Sequence, residues 1–322
     1  MSAFNLRNWF MALCAVGLTA GAAAQPGGYP SRSIELVVPW QAGGGADVVA
    51  RAFAVAAQKH LPQSIVVINK PGASGVLGMT DVWKAKPDGY RLLLASSEMT
   101  FLNHLGLAKF SYEDFAPIAR LNADPATVAV RADAPYATLE EFLEAARKPG
   151  SNIRVGNAGH GSTWHMAAVA LADKTRAAFN HIPYAGGAPA ILALLGGHID
   201  AVTVSTAEVS SHVATGKLKV LAVMADRRVK GFESVPTLKE RGIDVSLGIW
   251  RGLAAPKDTP PEVLKVLRAV VAKTVQEPTL REALEKLNYS TDTYADDVTL
   301  QAVMARESLY FKQLAGKIEP KP

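Results

Sequence analysis

Cysteine is almost absent from this 322-residue sequence, which holds a single one at position 14. That scarcity excludes a disulfide-stapled scaffold and any metal cluster built on several thiolates. Long apolar runs are missing too: after residue 24 nothing approaches the roughly 18 uninterrupted apolar residues that a membrane-crossing helix needs. The 26 glycines follow no three-residue period, so a collagen-like chain is excluded. Basic charge is concentrated nowhere. The formal net charge is +5, but Lys and Arg are scattered among acids, and the densest cluster, Arg227-Arg228 with Lys230, has no aromatic partners. A solvated surface fits that pattern better than a nucleic-acid stripe, so no nucleic-acid partner is expected.

Catalytic signatures are scarce as well. There is no H-E-x-x-H, no G-x-S-x-G, no Gly-Lys-Ser/Thr phosphate loop and no G-x-G-x-x-G. His160 and His165 are five residues apart, which is not the i,i+4 spacing of a helical metal pair, and the other histidines are dispersed. No metal and no cofactor are expected. A Ser162/His165 dyad is conceivable, but both residues fall at one helix start with no evident orienting acid.

What is present is a chain 49% apolar and 20% charged, enough to bury large cores, with a length that suits about two domains. Residues 1–24 carry Arg7, an apolar core from Trp9 to Leu18, and Ala22-Ala23-Ala24 before Gln25, the pattern of a secretory signal peptide. Cys14 lies inside that apolar core behind Leu13, so no lipid anchor is expected. The mature chain then contains no cysteine, which suits an oxidising compartment, and loss of Arg7 lowers its net charge to +4. A soluble periplasmic protein is the expectation.

The remainder alternates strand and helix. Ile34–Pro39 reads as a buried strand, Ala46–Lys59 as a helix, Ser64–Ile68 as a strand, Val76–Lys84 as a helix and Arg91–Ala95 as a strand. That order predicts an α/β fold with a parallel sheet. Phe115–Arg131, interrupted by Pro117 and Pro125, reads as an irregular or extended crossing between domains. A second α/β pattern follows to about Val223, and Ile249–Ala254 crosses back. Three helical stretches, beginning at Pro261, Thr279 and Asp296, close the chain.

Three glycine-bearing loops lead from strands into helices. The first is Trp40-Gln41-Ala42-Gly43-Gly44-Gly45-Ala46-Asp47, the second Asn157-Ala158-Gly159-His160-Gly161-Ser162-Thr163 with His165 beyond it, and the third Tyr184-Ala185-Gly186-Gly187-Ala188-Pro189. Glycines let backbone amides approach a bound group, and a helix start adds unpaired N–H donors and partial positive charge, so these loops predict anion capture in a cleft. Asp47 suits a first-turn cap or an i,i+4 partner of Arg51 better than an anion ligand. Ser162 and Thr163 are either caps of their helix or donors to the anion. Asp200, at a strand start, is either a turn acid or an acceptor in the cleft.

These segments, together with Asn69-Lys70-Pro71-Gly72-Ala73-Ser74-Gly75, Pro87-Asp88-Gly89-Tyr90 and Leu195-Gly196-Gly197-His198-Ile199-Asp200, resemble the Bug (TctC-like) family of periplasmic receptors of tripartite tricarboxylate transporters. The resemblance covers essentially the whole mature chain. It implies a two-domain, type II periplasmic-binding-protein fold with a ligand cleft between the domains, one formed by about 26–125 with 247–322 and the other by 126–246. It further implies a monomer that is not an enzyme, a small organic carboxylate as ligand, and the permease subunits of a membrane transporter as partner. The ligand's carboxylate would lie between Trp40–Asp47 and Asn157–Thr163, with Ser97, Tyr184, Ala185, Ser205 and Glu208 reading its far end. The chain departs from the family pattern at Trp40-Gln41-Ala42, where many members carry an aromatic followed by Ala/Pro-Pro, and Gln41 adds a further donor there. A sensor for a signalling partner and a secreted Ser162/His165 hydrolase are the rival readings.

Overall fold

The computed structural model describes residues 28–316; the leader expected at 1–24, with Cys14, lies outside the described residues, as do 25–27 and 317–322. The chain opens with β1 (Ile34–Val38), α1 (Gly45–Ala57), β2 (Ile65–Asn69), α2 (Val76–Trp83) and β3 (Arg91–Ser96), followed by the 17-residue strand β4 (Phe115–Arg131). It continues with α3 (Leu139–Arg147), β5 (Ile153–Asn157), α4 (Thr163–Thr175), β6 (Phe179–Pro183), α5 (Gly187–Leu195), β7 (Ala201–Ser205), α6 (Thr206–Ala214) and β8 (Leu218–Val223). The last elements are β9 (Gly248–Pro256), α7 (Pro261–Thr274), α8 (Pro278–Glu285), the short β10 (Ala295–Asp296) and α9 (Asp297–Ala315).

The strand order is β2-β1-β3-β9-β4-β7-β5-β6, with β8 and β10 also pairing β4. β1 runs parallel to β2 and β3, and β5 runs parallel to β6 and β7. β9 is antiparallel to β3 and β4, and β4 is antiparallel to β7 and β8. The two halves therefore repeat one plan. Each has three parallel strands in the order second-first-third, then an antiparallel strand arriving from elsewhere in the chain. β9 plays that part in the first half and β4 in the second.

Of the two readings of the crossing segment, irregular or extended, the structure shows the extended one: a single continuous strand. Residues 115–125 of β4 pair with β9, and residues 126–131 pair with β7 and β8. Its two prolines stand where a missing N–H is tolerated: Pro117 precedes a register shift against β9, and Pro125 is the last residue paired to β9 before the partner changes. α1 covers the sheet with a single apolar face, whereas α4 is buried all round from Thr163 to Leu171. On α1, Val49, Ala50, Phe53, Ala56 and Ala57 are buried, the 3-and-4 spacing of one stripe, and they pack with Leu92, Leu267 and Leu284. α9 straddles both halves, since Leu300 and Met304 join a core with Met79 and Trp250 while Phe311 and Leu314 join that of Val128 and Ala168.

Candidate functional site

α1, α4, α5 and α6 each begin just after the carboxyl end of a parallel strand, and the register, with Ser96 and Arg251 level with Asn122 and Ser205 opposite Ala126, brings the carboxyl ends of both halves together near the middle of β4, so the starts lie on facing rims, where open α/β folds bind ligands. The N–H donors at those starts set them apart. At α1, the N–H of Gly43 donates to Asp47 Oδ2 at 2.8 Å and that of Gly44 reaches Gln41 O at 3.3 Å. Among the described residues the amides of Gly45, Ala46 and Asp47 have no partner, since the first intrahelical bond is Val48 N to Gly44 O. Gly43 needs its glycine, with φ of +79°. Asp47 shapes this loop and offers the ligand no free carboxylate. Besides Gly43, its oxygens accept from Arg51 Nε at 3.0 Å and Asn69 Nδ2 at 2.9 Å. Burial alone would push its carboxyl up, but these bonds outweigh it and hold the group below its ordinary value.

At α4 most first-turn donors have partners among the described residues, the Trp164 amide being the exception. Ser162 Oγ accepts the His165 N–H, and His165 Nδ1 accepts the Gly161 N–H at 3.1 Å. Glu98, in the short turn after β3, places Oε1 3.1 Å from Thr163 N and 2.8 Å from Thr163 Oγ1. Ser97 Oγ stands 3.2 Å from Thr163 Oγ1. The loop before α4 also touches the first half of the chain where Ser74 Oγ donates to His160 O at 2.7 Å. Ser162 and His165 share no side-chain bond, and burial pushes the imidazole down to about 3, with His181 and His160 adding to the effect. With no bond between the Ser162 and His165 side chains among the described residues, the dyad geometry is not met.

The floor of the rim is polar. Ser96, Arg251 and Asn122 are direct partners across β3, β9 and β4, and so share one face of the sheet. All three are at most 2% exposed. Arg251 Nη1 donates to Asp124 Oδ2 at 2.6 Å, and its guanidinium lies over the Tyr289 ring at 5.4 Å. A Cβ added to Gly45 would stand 2.9 Å from both Arg251 Nη2 and Tyr289 Oη, so these groups border the open start of α1. Burial pushes the Tyr289 phenol up to about 12, Arg251 partly opposing the effect. Buried polar atoms in a folded chain normally find partners. Here Ser96 Oγ, Arg251 Nε, Asn122 Oδ1, Glu98 Oε2, Asn157 Nδ2 and Trp40 Nε1 have none among the described residues.

The sequence matches the family described as the tripartite tricarboxylate transporter family receptor over residues 49–314. The chain belongs to this receptor family. It is 57% identical to a TctC solute-binding protein from Polaromonas solved without ligand, covering 90% of this chain and 100% of that one at a TM-score of 0.74. A UPF0065 protein encoded in the gbd 5' region of Cupriavidus necator is 36% identical over 279 residues, 86% of this chain and 85% of its own length. MatC from Rhodopseudomonas palustris, solved with bound malate, is 28% identical with a TM-score of 0.80, covering 89% of this chain and 100% of its own. The fold is the two-domain periplasmic-binding-protein fold, and the family is one of solute-binding receptors.

In this receptor the expected residues fall into four groups. Trp40 and Gly43–Ala46 edge the open end of α1, with Gln41 and Ala42 exposed beside them. Asn157–Thr163 and Ser97 lie at the filled end of α4, with Ala158, Gly159 and His160 partly exposed and Tyr184 N donating to Asn157 O at 3.0 Å. Ala185 is exposed before α5. Ser205 caps α6 in a closed box, accepting from Glu208 N and donating to Glu208 Oε2 at 2.9 Å. Asp200 does not join them. It stands at the start of β7, the opposite end of the strand from Ser205, where Arg154 holds it through Nε at 3.0 Å and Nη2 at 2.9 Å.

Sequence reasoning missed Glu98, Ser96, Asn122, Asp124, Arg251 and Tyr289, as well as helix α6. Two signals were available. Arg251 is a lone charge in the otherwise apolar run Gly-Ile-Trp-Arg-Gly-Leu-Ala-Ala, and a charge in such a strand is buried only with partners. Ser205-x-x-Glu208 is the capping-box pattern that marks a helix start.

Proposed function

We propose that the chain is a periplasmic receptor that captures a small organic carboxylate between its two domains and hands it to the permease of a tripartite transporter. The observation that carries this reading is the open start of α1, where three consecutive amides lack partners beside a buried guanidinium. A carboxylate fits that chemistry: it accepts several N–H bonds at once and is favoured by the helix dipole. Charge-assisted bonds of this kind contribute about 1.5–3 kcal/mol each, enough to offset desolvation of one carboxylate. The malate bound by MatC supports a carboxylate ligand for a relative of this similarity.

On this reading residues 1–24 are a cleaved leader, residues 26–125 with 247–322 form one domain, and residues 126–246 form the other. The ligand contacts are the amides of Gly45–Asp47, the Trp40 and Asn157 side chains, and the loop Ala158–His160, with Tyr184 and Ala185 at the far end. The protein acts as a monomer and carries out no covalent chemistry. Calorimetric titration of the mature chain with mono-, di- and tricarboxylates tests the reading. Saturable binding of one carboxylate per chain, recovered unchanged, is expected. Chemical conversion of the bound compound, or no heat with any carboxylate, contradicts it.

A further inference from the structure

Besides Glu98 and Ser97, which meet Thr163, side chains cross between the two halves at two further places. At the first, Ser74, in the loop between β2 and α2, donates its Oγ to His160 O at 2.7 Å. The fit there is close. A Cβ on Gly159 would stand 3.2 Å from that Oγ, and one on Gly161 would strike Leu107 and come within 3.1 Å of Leu105. The loop Gly159–Gly161 is thus gripped from the first half by one hydroxyl and two leucines. At the second place Asn288, just after α8, donates Nδ2 to Ser210 Oγ on α6 at 3.0 Å. Ser210 in turn donates to Ala207 O, and Ala207 is buried in the core of the first half with Leu280, Leu284 and Tyr289.

The two bonds lie on opposite faces of the sheet. Ser74 leads into α2, whose Met79 and Val82 pack with Trp250, whereas Asn288 follows α8, whose Leu280 and Leu284 pack with α1. Trp250 and Arg251, successive residues of β9, point to opposite faces, and Arg251 lies over Tyr289, the residue after Asn288. Both donors have left-handed backbone, with φ of +53° at Ser74 and +58° at Asn288. Asparagine adopts that conformation readily at a helix end. Serine does so rarely, and Ser74 follows Ala73, itself at φ +48°. Such strain persists where surrounding contacts compensate it, and the bond to His160 is the contact that this conformation of Ser74 makes.

We propose that Ser74 and Asn288 are positioning residues that latch the two halves together over the cleft without touching the ligand. Their bonds join protein atoms to protein atoms, so they favour the closed arrangement whatever solute enters, and both must break before the halves part. Latches of this kind slow the escape of a bound solute more than they alter its capture. The inference rests on the two-domain cleft and not on the chemistry of the ligand.

The mature chain has no cysteine, so a pair of labels can be placed in it without interference. Val55→Cys on α1 and Leu192→Cys on α5, both at exposed positions and in opposite halves, carry spin labels. Their separation is measured by pulsed electron resonance after the chain has been unfolded and refolded to strip bound solute. The expected result is a population at the short separation set by this structure, with no compound added. Ser74→Gly and Asn288→Gly each remove one bond between the halves while easing left-handed backbone, so the thermal midpoint should hold. The ratio of closed to open chains should nonetheless fall about fivefold in Ser74→Gly, about twofold in the more exposed Asn288→Gly, and about tenfold in the double variant. A purely structural part for these residues would lower the thermal midpoint and leave the separations alone, which overturns the proposal. Absence of the short separation from the labelled chain that keeps Ser74 and Asn288, or a double variant with the same separations as that chain, overturns it too. Either outcome leaves the carboxylate reading standing, because no ligand enters the measurement.

Discussion

Glu307 shows how one partly buried side chain ties this fold to pH. It lies on α9 and accepts from Trp250 Nε1 at 2.7 Å. Burial pushes its carboxyl up to about 7; Trp250, Arg306 and Arg120 act against that rise, and Glu98 adds to it. An acid raised in the folded state stabilises fully below its unfolded value, and that contribution is lost as pH rises through about 7. Glu307→Gln keeps an acceptor for Trp250 and cannot ionise. It should therefore stabilise the protein by on the order of 2 kcal/mol at about pH 8 and change little at about pH 4, read from chemical denaturation at both values. Equal effects at the two pH values would contradict the assignment. At this same scale the sequence spoke least. Glu98 and Arg251 reach the site through pairings with partners 65 and 127 residues away, Thr163 and Asp124, which no local pattern encodes. Asp47 was different, because its partner Arg51 lies one helical turn on, and that bond was readable from spacing.

Among the elements, the starts of α1 and α4 contrast most. Both follow a strand and a glycine loop, so the sequence treated them alike. One is open because Asp47 bonds back to Gly43, while the other is closed by Ser162 and Glu98. Ser162→Ala removes an N-cap and should lower stability by about 1 kcal/mol in urea denaturation, with the wild-type slope retained. A loss below a few tenths would mean that Glu98 alone satisfies this helix start. Strands and helices with strong apolar patterning were legible, with ends shifting by a residue or two. β4 was legible only in part, as an extended alternative, because Pro117 and Pro125 argue locally against a continuous strand. Only the changes of register and partner at those positions make room for them. α6 escaped notice because its mixed Thr-Ala-Glu-Val-Ser-Ser sequence has little apolar periodicity, although its capping box was present.

For the whole molecule, the decisive feature is that two similar sheets share β4, and that β9 returns late in the chain to set Arg251 beside Gly45 at the start of α1. The alternating pattern of strands and helices made the fold class legible from sequence. It could not reveal which long-range strand would carry a charge to the rim. α9 and β4 both join the two halves, so ligand contacts made at α1 and at the loop before α4 can report on one shared cleft. The central claim is that a carboxylate is held in that cleft at the start of α1. A crystal structure of the mature chain with the tightest-binding carboxylate tests it most directly. The expected result is a carboxylate within about 3 Å of the Gly45 and Ala46 amides and of Arg251 Nη2. A carboxylate bound at α4 in place of Glu98, or outside the cleft, would contradict it.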